Sequence, residues 1–177
     1  MLGFLKNNGF YILIAVVVLY FVSRYFYAQP KYINGETAPD FKVDLRDGTS
    51  FQLSQLKGNY ILLDFWGSWC GPCIQETPAL KGLYDQFHGK SFSDGKGFEI
   101  VSVGIETDKA RWENAIDALQ MNWQYHTTDL QNLNSPLAKQ FGVRVIPTKF
   151  FLNTEGVIVG VNQSVEEIEK FLKSKMK

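Results

Sequence analysis

The feature that most constrains this chain is a pair of closely spaced cysteines. Cys70 and Cys73 are the only cysteines in the 177 residues, and Gly71 and Pro72 separate them. They can close or open a small disulfide ring, but they cannot take part in a larger disulfide framework, because no third cysteine exists. The apolar run 60–65 before them predicts a buried strand, and the spacing of apolar residues over 74–87 predicts a helix. The sequence therefore indicates redox chemistry at a strand-to-helix junction.

Cys70 falls at the predicted start of that helix. Unpaired backbone N–H groups and the helix dipole favour an anion there, and a thiolate is such an anion. We therefore expect Cys70 to be the exposed nucleophile that attacks a substrate disulfide. Cys73, one turn further in, is expected to resolve the mixed disulfide.

The first thirty residues differ from the rest. Residues 9–28 are apolar except near their end, and twenty helical residues span about 30 Å, the thickness of a bilayer core. Arg24 lies close enough to the end to snorkel, and the aromatic residues 25–27 suit a membrane interface. No A-x-A-like cleavage site follows, so we expect an uncleaved anchor in preference to a signal peptide or a buried core helix.

We expect four segments: a short tail (1–8), a transmembrane anchor (9–28), a short linker that serves as a tether (29–36) and one domain (37–177). About 140 residues beyond the anchor suffice for one core. Basic residues on the two sides of the anchor are nearly tied in number, so charge does not set the orientation. A polar tail is most simply left in the cytoplasm, which places the domain outside.

Three stretches resemble the thioredoxin superfamily. Residues 64–73 with Pro78 are very close to the active-site run of thioredoxins, and residues 142–148 match the cis-proline loop of that family. Residues 35–41 resemble the entry strand of membrane-anchored thiol reductases of the TlpA/ResA type, although peroxiredoxins begin in a similar way. The resemblance covers about 35–173. It implies an α/β, thioredoxin-like fold: a central mixed β-sheet flanked by helices, with a TlpA-like insertion over 107–128.

The resemblance also implies where a substrate would bind. The residues concerned are Trp69, Gly71, Pro72, Ile146 and Pro147. Local sequence favours a trans bond before Pro147, since few X–Pro bonds are cis, but the family match implies a cis bond. Trp66 is expected either to form a wall of the site or to pack in the core.

Two carboxylates lie near the cysteines in sequence. Asp64 matches the buried aspartate of thioredoxins, and Glu76 matches a glutamate that TlpA/ResA-like proteins place near their cysteines. Either can accept the proton that Cys73 loses, although Glu76 also fits a solvated helix position. Thioredoxins pair this aspartate with a lysine of the neighbouring strand, yet the predicted strand 98–105 contains no lysine.

Composition and spacing limit the other functions. Eighteen basic and eighteen acidic residues cancel, so nothing draws the protein to nucleic acid. His88 and His126 match no metal-ligand spacing, and neither a metal nor a cofactor is expected. A peptide-binding module without turnover and a metallochaperone are alternatives; the intact cysteine pair disfavours the first, and the wide separation of the histidines disfavours the second.

The direction of electron flow follows from the resemblance. Gly71-Pro72 is the dipeptide of reducing thioredoxins, which favours a reductase of protein disulfides over an oxidase or isomerase. In an oxidising, extracytoplasmic compartment, a transmembrane thiol carrier would have to supply the electrons. The resemblance suggests apocytochrome c as one substrate.

Overall fold

The computed structural model describes residues 2–177, with backbone alone for residues 2–8. The helices are α1 (Leu2–Ala28), α2 (Gly71–Phe87), α3 (Lys109–Ala118), α4 (Pro136–Phe141) and α5 (Val165–Lys175). The strands are β1 (Lys42–Asp44), β2 (Ser50–Gln52), β3 (Asn59–Trp66), β4 (Gly97–Gly104), β5 (Tyr125–Thr128), β6 (Thr148–Leu152) and β7 (Ile158–Val161). The expected tail lies within α1, except for Met1, which is outside the described residues.

A mixed five-stranded sheet forms the centre of the domain, as the sequence predicted. Its strand order is β5-β4-β3-β6-β7. Strand β3 is parallel to β4, β4 is parallel to β5, and β6 is antiparallel to both β3 and β7. Strands β1 and β2 form a separate hairpin. Because β3 has a neighbour on each side, its carboxyl end, which leads into the cysteine pair, is held firmly.

Alternate residues of β3 enter two different cores. Tyr60 and Leu62 pack with α2, α3 and α5 on one face of the sheet. Ile61, Leu63 and Phe65 pack with α4 and the β1–β2 hairpin on the other face. A strand covered on both faces needs a continuous apolar sequence, which is why this run predicted a buried strand.

Local signals at the helix ends agree with the sequence. Ser135 caps α4 by accepting a hydrogen bond from the Ala138 N–H at 3.2 Å. Ser164 and Glu167 form a capping box at the start of α5. Helix α2 continues through Pro78.

One helix is long and apolar enough to cross a membrane. Its window Gly9–Ala28 has a mean hydropathy of 1.9, and none of it is buried against the domain. Residues 29–36 do not hang free after it, since the Lys31 N–H donates to the Phe141 carbonyl at 3.1 Å and the Gly35 N–H donates to the Ile158 carbonyl at 2.8 Å. The segment treated as a tether in the sequence is thus docked along the domain.

Candidate active site

The cysteine pair is closed as a disulfide at the start of α2. Cys70 is the N-cap residue, and its sulfur accepts a hydrogen bond from the Cys73 N–H at 3.3 Å. The Cα atoms of Cys70 and Cys73 are 5.3 Å apart. Pro72 lies in the first helical turn, where its missing N–H has no intrahelical partner to lose. The structure therefore holds both sulfurs at the positive end of a seventeen-residue helix.

The expected exposure of Cys70 is wrong for this disulfide form. Cys70 is 5% exposed and Cys73 is 4% exposed, so accessibility does not distinguish the two. Both belong to the apolar cluster that contains Trp66, and the partly buried Ile146 packs against it. Their burial follows from closing the ring onto this cluster.

The loop that precedes β6 meets the loop that carries the cysteines. The Ile146–Pro147 bond is cis, as the family resemblance implied and against the expectation from local sequence. A Cβ placed on Gly67 would lie 3.1 Å from Ile146 Cδ1 and 2.9 Å from Trp69 Nε1. The close approach of the two loops thus leaves no room for a side chain at position 67.

The two tryptophans have different environments. Trp66 is only 1% exposed and belongs to the core, so the core-packing alternative is the correct one. Trp69 is 47% exposed, and its indole N–H donates to the Ile105 carbonyl at 2.8 Å. Trp69 therefore stands at the surface beside the disulfide in a fixed orientation, as a wall of the site would.

Asp64 has a lysine partner, but on the strand that the sequence analysis did not consider. Lys149 of β6 is directly opposite Asp64 in the register of β3 with β6. Strand β4, on the other side, places Ser102 opposite Asp64. The sequence-based search failed because it assumed the parallel neighbour, whereas β3 has an antiparallel neighbour as well.

Glu76 reaches the same lysine. Its carboxylate forms an ion pair with the Lys149 ammonium, and the side chains are 24% and 8% exposed, respectively. This pairing argues against a merely solvated helix position for Glu76. Asp64, Lys149 and Glu76 thus form one cluster of ionisable groups, with Glu76 one helical turn after Cys73.

The pKa of Asp64 is raised to about 7, chiefly because burial disfavours the carboxylate. The charge of Lys149 lowers this pKa, the charge of Glu76 raises it, and a hydrogen bond from Ser102 lowers it. Asp64 therefore changes protonation state near neutral pH, where a proton acceptor for a thiol is needed.

Sequence reasoning missed Glu106. This residue is fully buried just after β4, and its carboxylate accepts a hydrogen bond from the Ser68 N–H. Its other oxygen lies 3.4 Å from the Arg111 guanidinium. Glu106 thus fixes the backbone of the loop that carries Trp69 and leads to Cys70. A charged residue at the carboxyl end of an apolar strand was the available signal.

Comparisons with known proteins agree with this architecture. The Redoxin family model matches residues 33–175. The thiol-disulfide oxidoreductase ResA of Bacillus subtilis is 30% identical over 159 residues, covering 89% of this chain and 83% of that protein. The ResA of Oceanobacillus iheyensis is 28% identical and covers 93% of this chain and 83% of that protein.

Solved structures give the same result. The thioredoxin domain of a thiol-disulfide oxidoreductase from Bacteroides vulgatus superposes with a TM-score of 0.70 at 26% identity, covering 80% of this chain and 99% of that one. A thiol-disulfide oxidoreductase from Bacteroides fragilis has a TM-score of 0.68 at 28% identity, covering 78% and 98%.

Proposed function

This chain belongs to the Redoxin family, as a thioredoxin-like thiol-disulfide oxidoreductase of the TlpA/ResA type, and we propose that it is a membrane-anchored reductase of protein disulfides. One observation carries the proposal: the Cys70–Cys73 disulfide lies at the start of α2, directly after β3, the strand that carries the buried Asp64. Protein thiols and disulfides are the substrates of this class of enzyme. The direction of electron transfer is the part that needs testing.

The reduction proceeds in two exchange steps. The Cys70 thiolate attacks one sulfur of a substrate disulfide, so that a Cys70–substrate bond forms, the substrate S–S bond breaks and the departing thiolate takes up a proton. Cys73 then loses its proton and attacks the Cys70 sulfur. This releases the second substrate thiol and leaves the Cys70–Cys73 disulfide. Two electrons pass from the enzyme to the substrate.

Asp64 and Glu76 serve the second step. Asp64, with its pKa raised to about 7, is the group suited to accept the proton that Cys73 loses near neutral pH. Glu76 shares Lys149 with Asp64, and its charge is one of the causes that raise the Asp64 pKa. Asp64 is therefore proposed as the acceptor and Glu76 as the residue that tunes it.

A substrate peptide binds beside the disulfide in this proposal. Trp69 supplies an exposed apolar wall, and Gly71 and Pro72 leave the helix start free of long side chains. Ile146 and Pro147 offer backbone groups to an extended substrate chain. The packing of Ile146 against the cluster that contains Cys70 and Cys73 supports this assignment.

The remaining parts of the proposal concern the membrane. Residues 1–8 form a tail, 9–28 the anchor, 29–36 the linker and 37–177 the catalytic domain, on the extracytoplasmic side. The apolar window of α1 supports the anchor. Because soluble cytoplasmic reductants do not reach that side, a transmembrane thiol carrier supplies the electrons.

The redox potential of the Cys70–Cys73 couple tests the direction. The full chain in detergent micelles is equilibrated with glutathione buffers, and the thiols are counted by alkylation and mass spectrometry. We expect a potential near the thioredoxin value of about −270 mV. A value near that of strong oxidants, about −120 mV, would replace the reductase by an oxidase on the same fold.

A further inference from the structure

The end of α1 contacts the domain through one arginine. The Arg144 guanidinium carbon lies 5.0 Å from the centre of the Tyr27 ring. The same guanidinium donates a hydrogen bond to the Tyr27 carbonyl at 3.3 Å. A cation over an aromatic ring together with a hydrogen bond to the same residue forms a two-point attachment.

The next residues continue this attachment. Besides the hydrogen bond from Lys31 to Phe141, the Tyr32 and Phe141 rings pack with their centres 5.8 Å apart. Gly142 has a φ of 68°, and a Cβ there would lie 2.6 Å from the Lys31 nitrogen. Glycine is thus needed at position 142 for both its conformation and the closeness of the linker.

The far end of the linker is fixed as well. The Ile158 N–H donates to the Glu36 carbonyl at 2.9 Å, and the Gly35 N–H donates to the Ile158 carbonyl. Between Lys31 and Gly35 only three residues remain, and Tyr32 is one of those already packed. The linker therefore has almost no free length with which the domain could turn relative to α1.

The attachment lies next to the active site in the chain. Arg144 precedes Ile146 by two residues, about 7 Å of extended chain, and Ile146 packs against the apolar cluster that contains Cys70 and Cys73. Beyond α1, the exposed large apolar side chains in the described part of the protein are Ile33, Trp69 and Met176. Two of these three belong to the linker and to the active-site loop.

We infer that the contact of Arg144 with Tyr27 fixes the domain with its disulfide end towards the bilayer surface. The partner that fits this placement is a thiol pair carried by the membrane at the lipid–water interface. This inference rests on the proposed membrane anchor. It assigns to Arg144 a positioning role in substrate access and no part in the chemistry.

The test compares the rates at which the same dithiol reduces the protein when it is attached to a lipid and when it is free in solution. The full chain is reconstituted in phosphatidylcholine vesicles in its oxidised form. It is then reduced either by phosphatidylethanolamine that carries a dihydrolipoyl group on its amine or by free dihydrolipoamide. In both reactions the dithiol closes to its cyclic disulfide, the Cys70–Cys73 bond breaks, and two electrons and two protons pass to the cysteines. Alkylation and mass spectrometry give both rates.

The expected result concerns the ratio of the two rates. Arg144→Gln should lower the ratio of lipid-borne to free dithiol about fivefold, the effect of losing one cation–aromatic contact with its hydrogen bond. The rate with free dihydrolipoamide should not change. Tyr27→Leu should lower the ratio by a smaller factor, because Leu removes the aromatic ring but keeps the backbone carbonyl that accepts from Arg144. The double variant should lose no more than Arg144→Gln alone, because the two residues share one contact.

Matched controls separate the contact from charge and from aromatic content. Lys139→Gln removes a nearby exposed cation of α4, and Tyr25→Leu removes a neighbouring interfacial tyrosine. Neither should change the ratio.

Flotation of the vesicles tests the membrane anchor separately from the orientation of the domain. A parent chain that does not float with the vesicles overturns the anchor together with this inference. If the parent floats, an unchanged ratio in Arg144→Gln, or an equal loss in Lys139→Gln, overturns this inference alone and leaves the anchor and the reductase intact.

Discussion

Lys149 is directly opposite Asp64 in the register of β3 with β6, and its ammonium group also pairs with Glu76. One buried cation therefore serves two carboxylates. Since burial disfavours the ionised form of Asp64, one cation does not keep both carboxylates charged at neutral pH. This cluster determines how the protonation of the site responds to pH.

Replacing Glu76 by Gln should lower the pKa of Asp64 from about 7, because a negative charge that raises this pKa is removed. The side chain keeps its size and helix propensity, so folding should survive. The Asp64 carboxyl can be titrated by carbon NMR in the oxidised protein, and the pH profile of thiol alkylation should shift with it in the reduced protein.

Asp85→Asn is the matched control, because Asp85 is an exposed carboxylate on the same helix. It should leave both profiles in place. Profiles for Glu76→Gln that superimpose on those of the parent would remove Glu76 from the mechanism.

Replacing Asp64 by Asn should stabilise the oxidised protein at high pH. In the unfolded chain this carboxyl titrates near 3.9, and in the fold its pKa is raised to about 7. The folded parent therefore binds more protons between these values, and its free energy of unfolding falls as pH rises from about 4 to about 7. The variant does not lose this stability, so at pH 8 its free energy of unfolding should exceed that of the parent by up to about 4 kcal/mol. Urea unfolding in micelles measures the difference.

Asp94→Asn provides a control of opposite sign. Hydrogen bonds from Tyr60 and Lys175 lower the pKa of Asp94, so its stabilisation is present at neutral pH and lost as pH falls. This variant should be less stable than the parent at pH 8 and equal to it in acid. An Asp64→Asn variant with the same pH dependence as the parent would show that Asp64 does not titrate as proposed.

The two cysteines should behave differently despite equal burial. Cys73→Ala should accumulate a mixed disulfide through Cys70 with a peptide disulfide, because the resolving thiol is absent. Cys70→Ala should lose disulfide reduction by at least a hundredfold, since the thiol at the helix N-terminus is gone. Non-reducing mass spectrometry detects the adduct. Trapping through Cys73 in Cys70→Ala, with none in Cys73→Ala, would reverse the roles.

Replacing Glu106 by Ala should destabilise the oxidised protein by about 2 kcal/mol, because the Ser68 N–H loses its buried acceptor. Glu106→Gln keeps an acceptor oxygen, so its loss of stability should be less than half of that in Glu106→Ala. Arg111→Gln should lose less than about 0.5 kcal/mol, since the Arg111 side chain is half exposed. Urea unfolding gives these values, and amide exchange at Ser68 should accelerate only in the Ala variant. A Glu106→Ala variant as stable as the parent would show that this hydrogen bond does not hold the loop.

The elements around the cysteines were predictable because they depend on neighbours in sequence. The apolar run of β3, the spacing of α2, the Ser135 cap and the capping box at Ser164 are all local signals. The two cysteines could pair only with each other, so their disulfide needed no tertiary information.

The partners of the buried charges were not predictable in this way. Lys149 and Glu76 are 73 residues apart, and only the strand order decides that β6 rather than β4 presents a lysine to Asp64. The sequence also left the core position of Trp66 undecided. A charged residue after an apolar strand marked Glu106, but nothing local showed that it holds the cysteine loop through Ser68 or that Arg144 contacts Tyr27. Hydrophobic pattern and helix capping act over a few residues, so the sequence determines the elements and the thiol pair. Which polar groups meet across the folded chain depends on sheet order and close packing, so only the tertiary structure decides it.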